Sequence, residues 1–509
     1  MNLAGIILAA GLGTRMNSSL PKVLHTLHGV PMLQYVVDTL QMVKPEKIIA
    51  VVGKHAGLIR DSIQAPGTLS YAEQREAKGT GHALLQAVPY LRNFRGTAIV
   101  VNGDTPLITE KTIRKFLAQH RRKKYSLSLL SFIAADPGSY GRIVRDKQGK
   151  IMSIVENRDA TAAQREINEV NSGVYAIEPE ALRLLQEIQV NKAKGEYYLT
   201  DIVHIAREKG MAIGAFCTDS EDEFTGVNTR EDLDRAGQLM RCRIIEKWRG
   251  QGVNFIDAGS VFISANSLIG QGTIIYPNVH IEGSTKIGRR CTLFPNIRIL
   301  DSMIEDDATI KDLTLIEESI VKKRASVGPL AHIRPGCTIG EHAKIGNFVE
   351  VKNSLIGPDT KALHLTYLGD AKIGKGVNIG AGTITCNYDG FKKHRTSIED
   401  NVFIGSDSQF VAPVTIGRGS VVGAGSTITR DVPANALALS RVEQTNIEGW
   451  ALRRQKSRQY VADSRQQRDS RQYVADSRQE KGSRQYVVGS SQQKTITKIK
   501  RKDKDKSSR

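Results

Sequence analysis

The sequence predicts an α/β domain of Rossmann-like build, then a connecting helix, then a left-handed parallel β-helix, with a basic tail behind it. Three observations carry that reading. Strand-like apolar runs alternate with helical segments across the first 229 residues, with Leu3–Ala9, Ile48–Val52 and Ala98–Val101 as strands and Thr112–Ala118 as helix. Such alternation belongs to a largely parallel sheet with its functional loops at the carboxyl ends of the strands. Between Glu231 and Gly250 the spacing turns helical, with Leu233, Leu239, Ile244, Ile245 and Trp248 set among charges. From about residue 260 to 430 an aliphatic residue recurs at every sixth position. Val327, Ile333, Ile339, Ile345 and Val351 run without a slip, and Ile398, Ile404, Phe410, Ile416, Val422 and Ile428 keep the same step. That step fits neither the turn of a helix nor the alternation of a strand. It fits short flat sides closing in threes to a triangular coil, with the aliphatic residue on the axis and small residues at the corners.

These elements divide the chain into an α/β domain (1–229), a helix (230–250), a β-helix with a short arm (251–450) and a tail (451–509), since one core cannot serve 509 residues. Hydrophobic residues make up 40% and charged residues 25%, the balance of an ordinary soluble protein. No apolar run approaches the ~20 residues of a membrane span. The start at Met1-Asn2-Leu3 lacks the basic region and cleavage site of a signal peptide. Cys217, Cys242, Cys291, Cys337 and Cys386 have no metal-ligand spacing and no even pairing, so they read as reduced thiols in a cytoplasm. The net charge of +19 invites a nucleic-acid partner, but residues 451–509 hold 18 Lys/Arg against 6 Asp/Glu, so +12 of it belongs to the tail. That tail repeats Arg-Gln-Tyr-Val, with Tyr460, Tyr473 and Tyr486 thirteen residues apart, and has little to bury. It is expected to be disordered or weakly helical, and any nucleic-acid contact is expected through it alone.

Chemistry is expected first where the opening strand ends. Ile7-Leu8-Ala9-Ala10-Gly11-Leu12-Gly13-Thr14-Arg15-Met16 runs into a glycine-rich turn, where backbone N–H groups can approach a polyphosphate and Arg15 adds a fork of donors. Lys22, in Leu20-Pro21-Lys22-Val23-Leu24, brings a second cation to that turn. The combination resembles the signature of sugar-phosphate nucleotidyltransferases. Gln74 with Gly79-Thr80-Gly81-His82-Ala83 looks like that family's base-reading loop. Asn102-Gly103-Asp104 follows a strand, where a carboxylate can hold Mg²⁺ against phosphate oxygens. Tyr140-Gly141-Arg142-Ile143, Val155-Glu156, Asn171-Ser172-Gly173 and Gly226-Val227-Asn228 resemble its sugar-binding strands and second metal ligand. The resemblance implies that Leu8, Ala9, Ala10, Gly11, Gly13, Thr14, Lys22, Gln74, Gly79, Thr80, Asn102, Gly103, Asp104, Gly141, Glu156, Asn171 and Asn228 bind UTP and the nucleotide sugar. Asp104 and Asn228 would hold Mg²⁺. Arg15 and Lys22 would steady the phosphates while the sugar-1-phosphate oxygen attacks the α-phosphorus and pyrophosphate leaves, with no side-chain nucleophile.

The hexads lose step at Pro358–Tyr367 and again at Thr385–Ser397, and these stretches hold His364, Asn387 and Tyr388. The strings are His364-Leu365-Thr366-Tyr367-Leu368-Gly369-Asp370 and, later, Gly380-Ala381-Gly382-Thr383-Ile384-Thr385-Cys386-Asn387-Tyr388. Hexad β-helices are shared by many acetyl-CoA-dependent acyltransferases. With the N-terminal motifs, the two strings make residues 1–450 resemble the bifunctional family that makes UDP-N-acetylglucosamine, a uridyltransferase followed by a glucosamine-1-phosphate acetyltransferase. The tail lies outside the resemblance. It implies UTP, acetyl-CoA, glucosamine-1-phosphate and N-acetylglucosamine-1-phosphate as substrates, a homotrimer, and an acetyl site between subunits. A sugar amine must be neutral to attack a thioester, and His364 is the base that titrates in range. Glu350 either orients that imidazole or occupies a solvated corner. By resemblance Arg334, Lys352, Tyr367 and Asn378 hold the sugar phosphate, and Ala381, Asn387, Tyr388, Ser406, Ala424 and Arg441 line the coenzyme site. Either the Ser406 N–H or the Asn387 amide would face the tetrahedral oxyanion.

Three positions depart from the family's usual pattern: Ala77 where a second Gln is common, Asn102 for a frequent Tyr, and Leu363 where a small residue precedes the histidine. Ala77 takes one amide from the base-reading loop, and Leu363 puts bulk beside the imidazole. Two other readings use the same folds. One is a single-activity nucleotidyltransferase with a β-helix for allostery or assembly; His364, Asn387 and Tyr388 speak against it. The other is a non-enzymatic module of the kind found in translation-initiation exchange factors; Lys22, Asp104 and Asn228 together speak against that.

Overall fold

β1 (Leu3–Ala9) is apolar throughout and almost wholly buried, so it takes the centre of a sheet rather than an edge. The computed structural model describes residues 2–11, 13–191 and 195–482, with side chains as far as 476; Leu12 and Tyr486 lie outside the described residues. With β2 (Lys47–Val52), β3 (Leu69–Glu73), β4 (Thr97–Asn102), β5 (Leu127–Ile133), β6 (Glu169–Ile177) and β7 (Ile213–Thr218), the strands run in the order β7-β5-β6-β4-β1-β2-β3. All neighbours are parallel except β6, which opposes both of its own. The register sets Leu8 against Asn102, Ala9 against Val52, and Val52 against Glu73, so four loops leave one edge together. Helices α1 (Met32–Met42) and α3 (Glu110–Arg122) cover one face, and α2 (Thr80–Ala87) covers the other.

α4 (Arg230–Gly250) begins at a reciprocal cap, Thr229 with Asp232. The same Asp232 carboxylate accepts the Asn228 N–H at 2.8 Å, so the cap also fixes the residue before it. α4 buries Ala236, Met240, Ile244, Ile245 and Trp248 in a cluster shared by Met16, Leu27 and Met32 on one side and the first coils on the other.

Beyond α4 the chain winds through very short parallel strands, and the hexad residues form three inward columns. One runs Ile263, Ile281, Ile299, Ile316, Ile333, Val351. The second runs Ile275, Leu293, Ile310, Val327, Ile345. The third runs Ile269, Ile287, Ile304, Val321, Ile339, Ile356.

One expected interruption is corrected. Residues 358–367 do not leave the wall: β8 (Lys344–Lys352) carries β9 (Lys361–Gly369) in register, with Asn347 opposite His364 and Glu350 opposite Tyr367. What the hexad count registers there is a tighter corner, since Ile339, Ile356 and Ile373 succeed one another one residue short of three hexads. Ile287, Ile304 and Val321 do the same further back. The interruption after Thr385 is a true insertion, because Ile373 pairs with Ile398, seven residues beyond a three-hexad coil.

Two edges of the solenoid turn differently, both with left-handed backbone. One uses Arg290, Asp307, Arg324, His342 and Asp359, and its charges pair between coils, Arg290 with Asp307 at 2.7 Å. The other stacks Leu313, Leu330, Phe348 and Leu365 at φ 57, 54, 58 and 25°, with side chains 55, 41, 56 and 62% exposed. Bulky apolar residues rarely take that conformation, which suits Asn, Asp or Gly. Among the described residues no helix is long and apolar enough to cross a membrane.

Met1–Arg441 forms one unit and Val442–Arg509 another. Within the second, α5 (Trp450–Gly482) makes this part of the tail helical, one of the two states left open by composition. Its described side chains are exposed all round, and Arg454 lies 5.0 Å over the Trp450 ring.

Candidate active sites

The edge where β1, β2 and β4 finish opens into a cavity of about 630 Å³. Leu8, Ala9, Ala10, Gly11, Gly13, Thr14, Arg15, Lys22, Gln74, Gly79, Thr80, Asn102, Asp104, Glu156 and Asn228 line it, so most of the expected nucleotide residues converge from six separate stretches of chain. Gly141 and Asn171 line a neighbouring recess with Asn102 and Asp104. Gly103 lines neither; its N–H donates to Leu8 O at 2.9 Å and anchors the turn that presents Asp104.

Backbone chemistry sets this geometry. Gly13 takes φ +62°, and a Cβ there would stand 2.5 Å from Lys22 Cβ, so a bare residue lets the lysine close over the loop. The Lys22 ammonium pairs with the Asp104 carboxylate and lies 3.1 Å from Asn228 Oδ1, which also accepts from Arg15 Nη2 at 3.0 Å. The Val227 N–H donates to Asp104 O at 3.0 Å, stitching the two loops together. Two hard oxygen donors thus surround one positive charge, the donor set a small divalent cation takes. No cluster of three or more His, Cys, Asp or Glu offers a metal site among the described residues. Glu156 accepts from Thr200 Oγ1 at 3.2 Å. Asn171 is partly committed: it donates to the Tyr175 hydroxyl at 2.8 Å and accepts the Gly173 N–H at 3.0 Å. Burial pushes the Tyr140 phenol up, and its hydroxyl donates to Phe224 O at 3.2 Å.

The solenoid's expected residues lie along edges instead. His364 is exposed on β9, and its imidazole has no partner among the described residues, while its carbonyl accepts from Thr366 Oγ1 at 2.6 Å. Gly382 N–H donates to Leu365 O at 2.7 Å, Asp407 N–H to Ala381 O at 2.7 Å, and Gly425 N–H to Ser406 O at 2.9 Å. Ala381, Ser406 and Ala424 therefore follow His364 up one edge, coil after coil, and Arg441 reaches Ala424 O at 3.0 Å. Glu350 does not reach the imidazole; Arg334 holds its carboxylate at 2.8 Å, which closes the question of its partner. Asn387 is not a free donor either. Its N–H goes to Thr385 O at 3.0 Å and its Nδ2 to Asp370 at 2.6 Å, whereas the Ser406 N–H has no partner among the described residues.

Arg334 and Lys352 stack on adjacent coils, and Lys393 joins them from the insertion, a residue the motifs did not reveal. The ammonium of Lys393, and then Arg334, hold the Lys352 amine below the usual lysine range. Asp370 offsets only part of that repulsion, and Arg334 keeps its own partner in Glu350. Local bonds tie the insertion to itself: the Asp389 carboxyl is held down to about 2 by the N–H of Lys392, the imidazole of His394 at 2.6 Å and the N–H of Phe391. Tyr388 donates to Gly390 O at 2.6 Å, and Phe391 is 92% exposed. Asn378 is the exception. It pairs with Lys361 on the side before the corner, whereas Tyr367 lies on the side after it, so one chain does not bring these two together.

Comparison with known families follows the same division. Residues 5–139 match the MobA-like NTP transferase domain, 248–351 the LbH domain of EIF2B subunit epsilon, and 395–430 the bacterial transferase hexapeptide of six repeats. Over its length the chain is 49% identical to the bifunctional protein GlmU of Thermodesulfovibrio yellowstonii across 451 residues, 89% of this chain and 99% of that protein. It is 45% identical to the GlmU of Geotalea uraniireducens over 454 residues, covering 89% and 99%. With the GlmU of Streptococcus agalactiae it shares 42% over 452 residues, covering 89% and 98%. The exchange-factor likeness stops at residue 351, before His364 and the insertion.

Proposed function

This chain belongs to the family of bifunctional GlmU proteins, and from that premise we propose how its two sites divide the synthesis of UDP-N-acetylglucosamine. The solenoid transfers acetyl from acetyl-CoA to glucosamine-1-phosphate. The sheet edge then joins N-acetylglucosamine-1-phosphate to the uridylyl group of UTP, releasing pyrophosphate. The observation that carries the second step is the convergence of Asp104, Asn228, Lys22 and Arg15 on one point at the phosphate loop.

In the uridylyl step the loop after β1, with Ala10, Gly11, Gly13 and Thr14, faces the triphosphate, and Arg15 and Lys22 neutralise charge that builds on the α-phosphorus and leaving group. Gln74, Gly79 and Thr80 take the base; Asn102, Gly141, Glu156 and Asn171 take the sugars, and Gly103 fixes the turn beneath. The oxygens of Asp104 and Asn228 suit Mg²⁺, with Lys22 withdrawing to the phosphates. Such an ion would supply charge neutralisation beside the phosphates.

In the acetyl step Arg334, Lys352, Tyr367 and Lys393 hold the sugar phosphate. His364 takes the proton from the amine as its lone pair attacks the thioester carbonyl, the Ser406 N–H, which has no partner among the described residues, faces the oxyanion, and the C–S bond then breaks to release coenzyme A, whose sulfur takes that proton. The coenzyme lies along Ala381, Asn387, Tyr388, Ser406, Ala424 and Arg441. Asn378 is supplied by a second copy in a homotrimer. The apolar left-handed edge supports that assembly, since exposed Leu and Phe at such corners give up stability that contact with another copy restores. Both reactions use small cytoplasmic metabolites, which sets the chain in the cytoplasm, and neither needs nucleic acid.

Mixing the protein with glucosamine-1-phosphate, acetyl-CoA, UTP and Mg²⁺ should yield UDP-N-acetylglucosamine. Accumulation of N-acetylglucosamine-1-phosphate without the nucleotide sugar, or no acetylation at all, would sink the two-step reading.

A further inference from the structure

One side chain in the base-reading loop has no part in the mechanism above, yet it touches the residue that faces the base. His82, in the first turn of α2, stands with Nδ1 2.9 Å from Gln74 Nε2 and with Nε2 3.2 Å from Gln86 Nε2. A neutral imidazole has one ring nitrogen that accepts and one that donates, so two amide nitrogens cannot both donate to it. One glutamine must present its oxygen. Gln74 is pinned: its Nε2 also donates to Gly79 O at 3.0 Å, and it is 5% exposed, so an oxygen turned against that carbonyl would stay unrelieved. Gln86 is only half-buried, and its second contact, to His82 O, is a long 3.2 Å. Gln86 is therefore the one that turns its Oε1 to the ring. His82 then keeps Nδ1 bare and Nε2 protonated. Both N–H bonds of Gln74 are spent inside the protein, and the cavity receives from it only Oε1, an acceptor.

We propose that His82 is the positioning residue that makes this site read uracil rather than cytosine, an inference that rests on the uridylyl reading. Uracil presents an N–H at its N3 edge, and cytosine presents a bare nitrogen at the same place. An acceptor locked at Gln74 pairs with the first and opposes the second, whereas a free amide turns over and serves either. The other half of the clamp is backbone. Gly79 has φ +94°, and a Cβ there would meet Tyr197 O at 2.6 Å, so the carbonyl that Gln74 donates to is itself held in place. Ala77 lines the same cavity without a polar group, which leaves more of the reading to Gln74.

Initial rates with UTP and with CTP, at saturating N-acetylglucosamine-1-phosphate, give a ratio of kcat/KM for the two nucleotides. His82→Phe removes the acceptor and keeps a planar ring; the UTP/CTP ratio should fall about tenfold, mostly through a lower KM for CTP. His82→Asn returns an oxygen acceptor near Nδ1 and should recover most of the preference. Acetyl transfer by the same preparations should be unchanged, which reports that the chain is folded. Equal losses with both nucleotides in His82→Phe, or His82→Asn no better than His82→Phe, would overturn the positioning role and leave the uridylyl reading standing. Wild-type protein with no preference for UTP would overturn both.

Discussion

At the sheet edge the reacting groups are gathered before any substrate arrives, whereas on the solenoid they stay apart and unbalanced. Asp104 and Asn228 already share Lys22, and Asn228 also accepts from Arg15, so the four groups are joined within one chain. On the β-helix, Arg334, Lys352 and Lys393 repel one another, His364 has no partner among the described residues, and Asn378 lies around a corner from Tyr367. The difference follows from topology. A sheet whose strands end together collects loops from distant sequence at one point. A solenoid can only align residues along its sides and edges, so convergence there needs an insertion or another copy of the chain.

The contrast breaks most cleanly on the two central residues. His364→Ala should cut acetyl transfer about 10²- to 10⁴-fold and leave uridylyl transfer intact. Asp104→Ala should cut uridylyl transfer about 10²- to 10³-fold and leave acetylation intact. Separate assays of the two half-reactions check this, and loss of both from either change in a folded protein would refute separate sites. Phe348→Asp tests whether only one site depends on assembly. Light scattering should report a smaller particle and acetyl transfer should fall at least about tenfold, with uridylyl rates unchanged.

Smaller effects sharpen the same contrast. Gly13→Ala forces an unfavourable left-handed residue against Lys22, at about 1–2 kcal/mol, and should raise KM for UTP several-fold without touching acetylation. Lys393→Ala should raise KM for glucosamine-1-phosphate about fivefold at neutral pH. Because Lys393 disfavours the charged form of Lys352, that amine loses its proton at a lower pH than an ordinary lysine, and KM should climb early on the alkaline side. Removing Lys393 should move the climb to higher pH; a KM–pH profile identical to wild type would show that the amines do not share one anion.

The hexad step translated directly into three buried columns, because a solenoid repeats its local rule in every coil. It misplaced one break because a corner drawn in by a single residue shifts the count exactly as an excursion does; only register distinguishes them, and Asn347 opposite His364 shows the wall continuous. The phosphate-loop residues were legible since glycine and cation spacing reflects a backbone need. Partners were not. Nothing in spacing tells Glu350 to prefer Arg334, or sends Lys393 from an insertion to Lys352, because both depend on which coils become neighbours. The exposed apolar edge was missed too, since Leu313, Leu330, Phe348 and Leu365 fall off the six-residue beat at positions where Asn or Gly is expected.

The cluster that α4 shares with both Met32 and the first coils has a hereditary consequence. A recombination crossover within Arg230–Gly250 would set one parent's half of this apolar seam against the other parent's half, where mismatched side chains pack poorly. Genes that exchange one catalytic half for another are therefore constrained to carry this helix along with matching surfaces on either side.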